Sequence, residues 1–358
     1  MADDLGPDDP DHQQPTSDFD DGAPGAAAAA PTRRRRKAGR VKVALLTLLT
    51  LVLIVVLAGV GFALYLNHLL DSNVHHSALL PTTPGGPARV AQAGNAQNIL
   101  LLGSDSRDPS NIHVDSRSDV IQLVHISNNY KSIQVIHFPR DLYVPIPGHG
   151  KNKINAAYAY GGAPLLVTTM QDMLGVHIDH VAQIGFTGFA KVTDDLGGVD
   201  VYVAQAFDEN GFGHLTKGFH HMNGTQALGF VRERHQLKEG DIDRGRDQQA
   251  WIKAVLQKTL KAGTLLNPIT LSNILDDITK TTVVDDGMTT AYMRDTALKL
   301  RNIRGNDLTF FTAPFTGFAY NKVAGDIDVV NEPKMKQLGH SLAIDDMSAY
   351  TGPRNTIR

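Results

Sequence analysis

Two arginines and two aspartates stand at the outer ends of a predicted β-hairpin and form the first candidate site. The strands are residues 120–126 and 132–138, two runs rich in Val, Ile, Leu and Phe around an Asn-Asn turn. The charged residues at their outer ends are Arg117, Asp119, Arg140 and Asp141. Because antiparallel pairing brings these ends to one edge of a sheet, we expect an ionic site on a rigid platform.

Further arginines occur near the ends of two predicted helices. Asn223 and Gln226 form a capping-box pattern, which predicts a helix running to Arg232 and Arg234. These two arginines are separated by one residue where that helix ends, so we expect them to act together.

The other helix is predicted to start near Asp241 or Asp243. Arg244, Gln248 and Trp251 lie on one stripe of it, at positions i, i+4 and i+7. A core-facing stripe that begins with polar side chains is unusual without a partner, so these side chains are also candidates for ligand binding.

Arginines gathered in this way require negative charge nearby. Four guanidiniums about 7 Å apart, at an effective dielectric of ~20, repel by roughly 2 kcal/mol per pair. Carboxylates or a bound anion must offset this repulsion. A pyrophosphate fits, because the guanidinium fork binds phosphate oxygens in a bidentate manner. The alternative, a solvated surface role, stays open for any single arginine.

Asp105 and Asp119 are the candidate ligands of a divalent cation. Mg²⁺ prefers a few hard oxygen ligands and a shell completed by phosphate oxygens. The alternative is structural, with Asp105 capping a turn and Asp119 pairing with Arg117 or Arg140. Zinc is disfavoured because the chain has no Cys and no HxH cluster. A serine nucleophile is disfavoured because no GxSxG motif occurs in a fitting context.

The composition and the N-terminal third predict a membrane-anchored protein. The 358 residues carry a formal net charge of −3, which gives no support to bulk nucleic-acid binding. A tail rich in Asp, Pro, Gly and Ala precedes a cluster of Arg and Lys and then an uncharged apolar stretch long enough to span a bilayer. The predicted segments are a disordered cytoplasmic tail at 1–42, an uncleaved transmembrane anchor at 43–66, a linker at 67–95 and an extracellular catalytic domain at 96–350.

The remaining pattern predicts an α/β fold with a mixed central β-sheet flanked by helices. Helices are expected from Pro164 to Gly175 and from a Thr187 cap to Leu196, and further helices at 267–279, at 289–302 and from Glu332. Short strands are expected at 184–186, 199–203 and 308–311.

Several ordered motifs between residues 97 and 262 resemble the LytR–CpsA–Psr family. They are Leu100 to Arg107 (LLLGSDSR), Arg117-Ser-Asp119, Phe138-Pro-Arg-Asp141, Ile146-Pro-Gly-x-Gly150, Lys153-Ile-Asn155-Ala, Gly197-Gly-Val-Asp200, Val231-Arg-x-Arg234, and Asp241-x-x-Arg244 followed by Gln248-Gln249. The layout of cytoplasmic tail, single anchor and external α/β domain is similar too. One departure is Asp247, where many members of the family carry Arg.

The resemblance implies a phosphotransferase of cell-wall assembly. Such enzymes move a glycopolymer from a polyprenyl-pyrophosphate carrier onto the 6-hydroxyl of muramic acid in peptidoglycan. It further implies Mg²⁺, or Mn²⁺ in its place, on Asp105 and Asp119, and a polyprenyl chain in an apolar tunnel. The implied diphosphate ligands are Arg117, Arg140, Arg232, Arg234, Arg244 and Gln248. Arg140, Arg232 and Asp105 are the expected catalytic residues, and Asp105 or Asp141 the expected base.

Two other functions stay open at this point. In a hydrolase of the same substrate, water replaces the sugar acceptor. A non-catalytic sensor or scaffold binds the lipid pyrophosphate without turning it over, and retention of both Asp105 and Asp119 argues against it. A membrane-tethered transcription regulator is disfavoured because no DNA-reading helix is evident.

The basic cluster predicts that the N-terminus is cytoplasmic and that everything after Asn67 lies outside. Alkaline phosphatase, which is active only outside the cytoplasm, should therefore be active when fused after residue 70 and inactive when fused after residue 40. An inactive fusion at residue 70 would contradict this topology.

Overall fold

The computed structural model of the chain describes residues 35–82, 85–104, 118–209, 213–265 and 267–358. Its helices are α1 (Arg35–Asn73), α2 (Ile154–Leu174), α3 (Phe186–Asp195), α4 (Gly224–Arg232), α5 (Asp241–Thr259), α6 (Ala262–Leu265), α7 (Pro268–Thr281), α8 (Thr290–Lys299) and α9 (Glu332–Ala343). Its strands are β1 (His75–Ser77), β2 (Gln97–Ser104), β3 (Ser118–Ile126), β4 (Ile133–His137), β5 (Leu142–Ile146), β6 (Gly150–Lys153), β7 (His180–Gly185), β8 (Val199–Val203), β9 (Phe207–Glu209), β10 (Gly213–Leu215), β11 (Gly218–Met222), β12 (Thr282–Asp285), β13 (Leu308–Thr312), β14 (Phe315–Asn321) and β15 (Gly325–Val330).

The apolar stretch near the N-terminus is helical, as predicted. Within the described residues, Lys42–Asn73 of α1 is the one segment long and apolar enough to cross a membrane. Its large side chains are exposed on all sides, as a lipid-facing helix requires. At ~1.5 Å per residue, its 32 residues are longer than the ~20 that a bilayer core needs. A single N-terminal apolar helix of this kind is compatible with a membrane anchor.

A seven-stranded mixed sheet forms the centre of the fold, with the strand order β1-β12-β7-β2-β3-β4-β13. β3 is antiparallel to β2 and β4, whereas β7 runs parallel to β2 and β13 runs parallel to β4. Alternate side chains face opposite ways: Leu100 and Leu102 pack with residues of α2 and α9, and Ile99 packs in a separate cluster beside residues of α5. The prediction of a mixed sheet with helices on both faces is confirmed.

The central hairpin is also confirmed. β3 and β4 pair from Ile126 with Ile133 to Gln122 with His137. The Phe138 N–H donates to the Ile121 carbonyl at 2.9 Å, which extends the pairing just past β4. The chain then leaves the sheet at Arg140, so the Phe138-Pro-Arg-Asp141 motif lies at the end of the central hairpin.

A four-stranded sheet, β14-β15-β5-β6, follows the central hairpin and was not anticipated. β15 comes from the C-terminal part of the chain and pairs in parallel with β5, where Asp328 aligns with Leu142. The Asp328 N–H donates to the Asp141 carbonyl at 2.9 Å. A distant segment is thereby held against the Phe-Pro-Arg-Asp motif.

The sequence patterns predicted two of the helix starts correctly and a third, the Thr187 cap, incorrectly. The Asn223 side chain accepts from the Gln226 N–H at 2.9 Å and the reciprocal bond is present, so the capping box is confirmed. Helix α5 begins at Asp241, also as expected. The Thr187 cap was wrong, because α3 begins at Phe186 after Gly185 without a side-chain cap. Part of the predicted linker forms β1 instead, because His75 to Ser77 pair with β12.

Helix α2 begins earlier than Pro164 and is broken in the middle. Gly161 and Gly162 have non-helical backbone angles, and Gly162 has a φ of 63°, a value that L-residues rarely adopt. Both halves contribute to one core, Ile154 and Ala157 before the break and Leu166 and Met170 after it.

The crossing of α9 over the end of α2 depends on Gly339. A Cβ at this position would lie 1.8 Å from the Leu174 carbonyl oxygen, which is backbone and cannot rotate away. Gly339→Ala should therefore lower the free energy of unfolding by about 2–3 kcal/mol. Gly263→Ala is the matched control, because a Cβ there meets nothing within 4 Å. Equal unfolding temperatures for the two variants would contradict this packing.

Candidate functional site

An apolar cavity of about 540 Å³ lies between the central sheet and helices α3, α5 and α7. Its walls include Val124, Val135, Ile184, Phe189 and Leu256. Four of the predicted site residues line the same cavity, namely Arg232, Arg234, Arg244 and Gln248. A pocket this apolar with a few polar groups has the composition of a small-molecule site.

Along helix α5, the residues that line the cavity change from polar to apolar. Arg244 and Gln248 come first along its lining, followed by Trp251, Val255 and Leu256. From the first to the last of these, the helix advances ~18 Å at ~1.5 Å per residue. Arg244 and Gln248 are both buried, so the predicted inward stripe exists. The cavity can therefore hold an anion at one end and an extended apolar chain at the other.

Arg232 and Arg234 reach the cavity from the end of α4. Glu233 between them is extended, with φ −62° and ψ 137°, and therefore the two flanking side chains project to the same side. The Arg232 guanidinium lies 5.0 Å from the centre of the Phe186 ring. Neither arginine forms an ion pair with any carboxylate of the described residues. Two guanidiniums are thus available to an anionic ligand.

Asp241 joins the hairpin end to the start of α5. One of its carboxylate oxygens accepts from the Arg140 N–H at 3.1 Å, and the other lies 3.6 Å from Arg140 Nε. It also pairs with the Arg244 guanidinium. Asp241 is also the first residue of α5, where its negative charge interacts favourably with the positive end of the helix dipole. The chain itself therefore supplies part of the negative charge that the arginine cluster requires.

Arg140 lies beside a different, polar cavity of about 380 Å³ and does not line the apolar one. This second cavity is also lined by Asp141, Asn152, Lys153 and Asn155. Asp141 pairs with Lys153 at 2.7 Å and lies 3.7 Å from Arg140 Nε. The predicted arginines are thus divided between two cavities, and Asp241 contacts both groups.

His137 is a buried neutral residue next to this cluster. Burial lowers its pKa to about 4; nearby Asp241 opposes that shift and Arg244 adds to it. It packs against α5 at Gly245, where a Cβ would lie 2.0 Å from the imidazole ring. The cluster therefore gains no further positive charge from His137 at neutral pH.

Arg246 and Asp247 do not line either cavity. Arg246 pairs with Glu239 at 2.5 Å and with Asp243 at 2.6 Å. Asp247 is buried, and its pKa is raised mainly by burial and then by the nearby charge of Asp243. The departure from the family pattern at this position thus lies outside the described cavities.

Asp328 is a residue that the sequence did not single out. The residue is buried, with 4% of its surface exposed. Its pKa is raised to about 7, mainly by burial and then by the charges of Asp141 and Asp241, whereas Lys153 acts to lower it. Its only sequence signal is a charged residue at an inward position of the strand Gly325–Val330.

The side chains of Asp105, Arg117 and Asp119 lie outside the described residues. The backbone shows that Ser104 aligns with Ser118 at the paired ends of β2 and β3. A magnesium site on Asp105 and Asp119 therefore stays a prediction, which the preference of Mg²⁺ for a few carboxylate oxygens motivates. Within the described residues there is no group of three or more His, Cys, Asp or Glu that would hold a metal.

The LytR_cpsA_psr family model matches residues 65–343. The chain belongs to the LytR_cpsA_psr family. The match extends beyond residue 262, where the sequence motifs end, and so takes in the sheet that contains Asp328.

Three relatives are representative. The chain is 29% identical over 325 residues to the cell wall biosynthesis protein LcpA of Corynebacterium glutamicum, an alignment covering 75% of this chain and 62% of LcpA. It is 38% identical over 170 residues to the polyisoprenyl-teichoic acid–peptidoglycan teichoic acid transferase TagT of Bacillus subtilis, covering 45% of this chain and 52% of TagT. The structure of a LytR-Csp2A-Psr enzyme from Actinomyces oris superposes with a TM-score of 0.57 at 22% identity, covering 75% of this chain and 97% of that one. The chain thus spans only about half to two thirds of these curated relatives.

The raised pKa of Asp328 predicts a pH-dependent stability. Between the unfolded pKa of ~3.9 and the folded pKa of about 7, the folded state holds a proton that the unfolded state has lost. The free energy of unfolding should therefore fall as pH rises through this range and level off above it. Asp328→Asn should abolish this fall and stabilise the protein at pH 8 by at most a few kcal/mol, since each pKa unit corresponds to about 1.4 kcal/mol.

The measurement is denaturant unfolding at pH 5 and pH 8. Asp326→Asn is the matched control, because Asp326 is an exposed aspartate on the same strand. Parallel pH profiles for wild type and Asp328→Asn would show that the buried carboxyl does not behave in this way.

Proposed function

We propose that this protein moves a glycopolymer from a polyprenyl-pyrophosphate carrier onto the muramic acid 6-hydroxyl of peptidoglycan. The observation that carries the proposal is the joint lining of one apolar cavity by Arg232, Arg234, Arg244 and Gln248. Guanidiniums favour a diphosphate, and the apolar length beyond them favours a hydrocarbon chain. The relative TagT is a polyisoprenyl-teichoic acid–peptidoglycan teichoic acid transferase, which supports the same substrate class.

The reaction transfers a phosphoryl group between two oxygens. The acceptor hydroxyl attacks the phosphorus that bears the glycopolymer, a new P–O bond forms, and the bond to the bridging oxygen breaks. The lipid leaves as its phosphate, and the hydroxyl proton passes to a base. Positioned positive charge lowers the barrier, because negative charge grows on the phosphoryl and leaving oxygens.

The residues divide this work according to their positions. Arg232, Arg234 and Arg244 would bind the diphosphate beside the lipid chain, and Gln248 would donate from its amide. Arg140 would reach the reacting phosphoryl from the side of the polar cavity. Asp141 shares that cavity and is a candidate base, together with Asp105. Asp105 and Asp119 would hold Mg²⁺, or Mn²⁺, which would neutralise phosphate charge when bound.

The anchor fits this substrate. A polyprenyl carrier is confined to the membrane, and a chain with a cytoplasmic basic tail and one apolar helix would keep the domain on the outer side, next to peptidoglycan. The orientation, the lipid and the acceptor belong to the proposal.

Arg232→Ala and Arg140→Ala should each reduce transfer at least ~100-fold, the loss expected when a group that stabilises transition-state charge is removed. The assay incubates the full-length protein in nanodiscs with a lipid-linked oligosaccharide, Mg²⁺ and peptidoglycan fragments. Arg294→Ala is the control, because Arg294 is a surface arginine paired with Asp295. Unfolding temperatures would show that each variant is folded.

The products separate the competing functions. Oligosaccharide joined to peptidoglycan indicates a transferase, and free sugar phosphate indicates a hydrolase. Binding without either product indicates a sensor or scaffold. Undiminished activity in both arginine variants would refute the assignment of the site.

A further inference from the structure

The polar cavity beside Arg140 contains an exposed aromatic platform. Tyr160, at the end of the first half of α2, is 48% exposed and lines this cavity. Its other neighbour is His149, whose ring stacks on it with centroids 4.6 Å apart and planes 10° from parallel. One face of Tyr160 is thus supported by an imidazole, which leaves the opposite face to a ligand.

Hydrogen bonds hold the platform in place. The Asn152 amide donates to the Tyr160 hydroxyl at 2.8 Å. His149 Nδ1 lies 3.0 Å from the Pro147 carbonyl, and because a carbonyl only accepts, this nitrogen carries the proton. Both side chains are therefore oriented before any ligand arrives, which lowers the entropy cost of binding.

Apart from three alanines, the rest of the lining consists of hydrogen-bonding side chains. Asn152 and Asn155 contribute amides, Lys153 an ammonium group and Asp141 a carboxylate, with Arg140 at one edge. Amides and ions of both signs can serve hydroxyl groups, which both donate and accept. A flat ring beside them suits a molecule that has C–H groups on one face, because the aromatic face is electron-rich.

We propose that this cavity is a pyranose-binding subsite, in which Tyr160 stacks against a sugar ring and the surrounding polar groups bind its hydroxyls. The inference rests on the proposed function and extends it to Tyr160 and Asn152, which lie outside the sequence motifs. The volume of about 380 Å³ lies within the range of ligand pockets. The pairs Lys153–Asp141 and Asp241–Arg244, with Arg140 between them, connect this cavity to the apolar one.

The connection between the two cavities supports a sugar as the ligand of the polar cavity. A diphosphate bound by the arginines carries hydrocarbon on one side and sugar on the other, and the acceptor is itself a sugar. Either the donor's sugar or the acceptor's glycan occupies the subsite, and both present the same ring chemistry.

The test measures binding of three probes to full-length protein in nanodiscs by calorimetry. The probes are geranyl pyrophosphate, geranyl pyrophosphate carrying N-acetylglucosamine, and a phosphate-free tetrasaccharide of peptidoglycan. Tyr160→Ala should weaken binding of a sugar-bearing probe about five- to tenfold, the loss of one aromatic contact, and leave sugar-free geranyl pyrophosphate unchanged. Tyr160→Phe keeps the ring and should stay within about twofold of wild type.

Tyr320→Ala is the matched control, because Tyr320 is 75% exposed and lies outside the cavity. A loss confined to the sugar-linked pyrophosphate assigns the subsite to the donor, and a loss confined to the tetrasaccharide assigns it to the acceptor. If Tyr160→Ala changes neither sugar probe, the subsite is refuted. Failure of the proposed function looks different: wild type would not bind sugar-free geranyl pyrophosphate, or Arg232→Ala would bind it equally well.

Discussion

The architecture of the site depends on the charge of one carboxylate, that of Asp241. It lies at the start of α5, receives the Arg140 backbone N–H and pairs with the Arg244 guanidinium. Two guanidiniums about 7 Å apart would repel by roughly 2 kcal/mol at an effective dielectric of ~20, and burial increases the demand for a counter-charge. Asp241 meets that demand for Arg140 and Arg244 but leaves Arg232 and Arg234 unpaired within the described chain. The described chain therefore compensates part of the positive charge around Asp241 and leaves two guanidiniums beside the apolar cavity without a carboxylate partner.

The apolar cavity is an exception to the usual dense packing of protein interiors. Protein interiors are packed as densely as organic crystals, and cavities much larger than a water molecule are few. On the α5 side of the central sheet, a space of about 540 Å³ lies beside a buried cluster that includes Ile126, Val135 and Phe310. The other side packs densely against α2 and α9, where Leu100, Leu166 and Leu338 are fully buried. Both faces of the sheet therefore contribute apolar packing, but only the α5 side leaves a large cavity between its packed residues and the helices.

The parts that sequence predicted are those that short-range physics determines. The central hairpin, the Asn223 capping box and the Arg244–Gln248–Trp251 stripe all follow from spacing within one element, and all three are present. Asp328 was missed because its role comes from parallel pairing with a strand almost two hundred residues earlier, a contact that no local pattern encodes. The sequence also did not predict that Arg140 lines a different cavity from the other arginines. A motif gives the order of residues along the chain, but it does not show on which side of Asp241 each side chain lies.

The break in α2 has a consequence for the directions in which its side chains point. Gly161 and Gly162 interrupt the helix between Tyr160, which lines the polar cavity, and Leu166, which is fully buried in the core. Because Gly162 has a positive φ, the turn of helix that carries Tyr160 does not continue the axis of the turns that follow. One helix can therefore serve both a cavity wall and the core without a regular amphipathic pattern along its whole length.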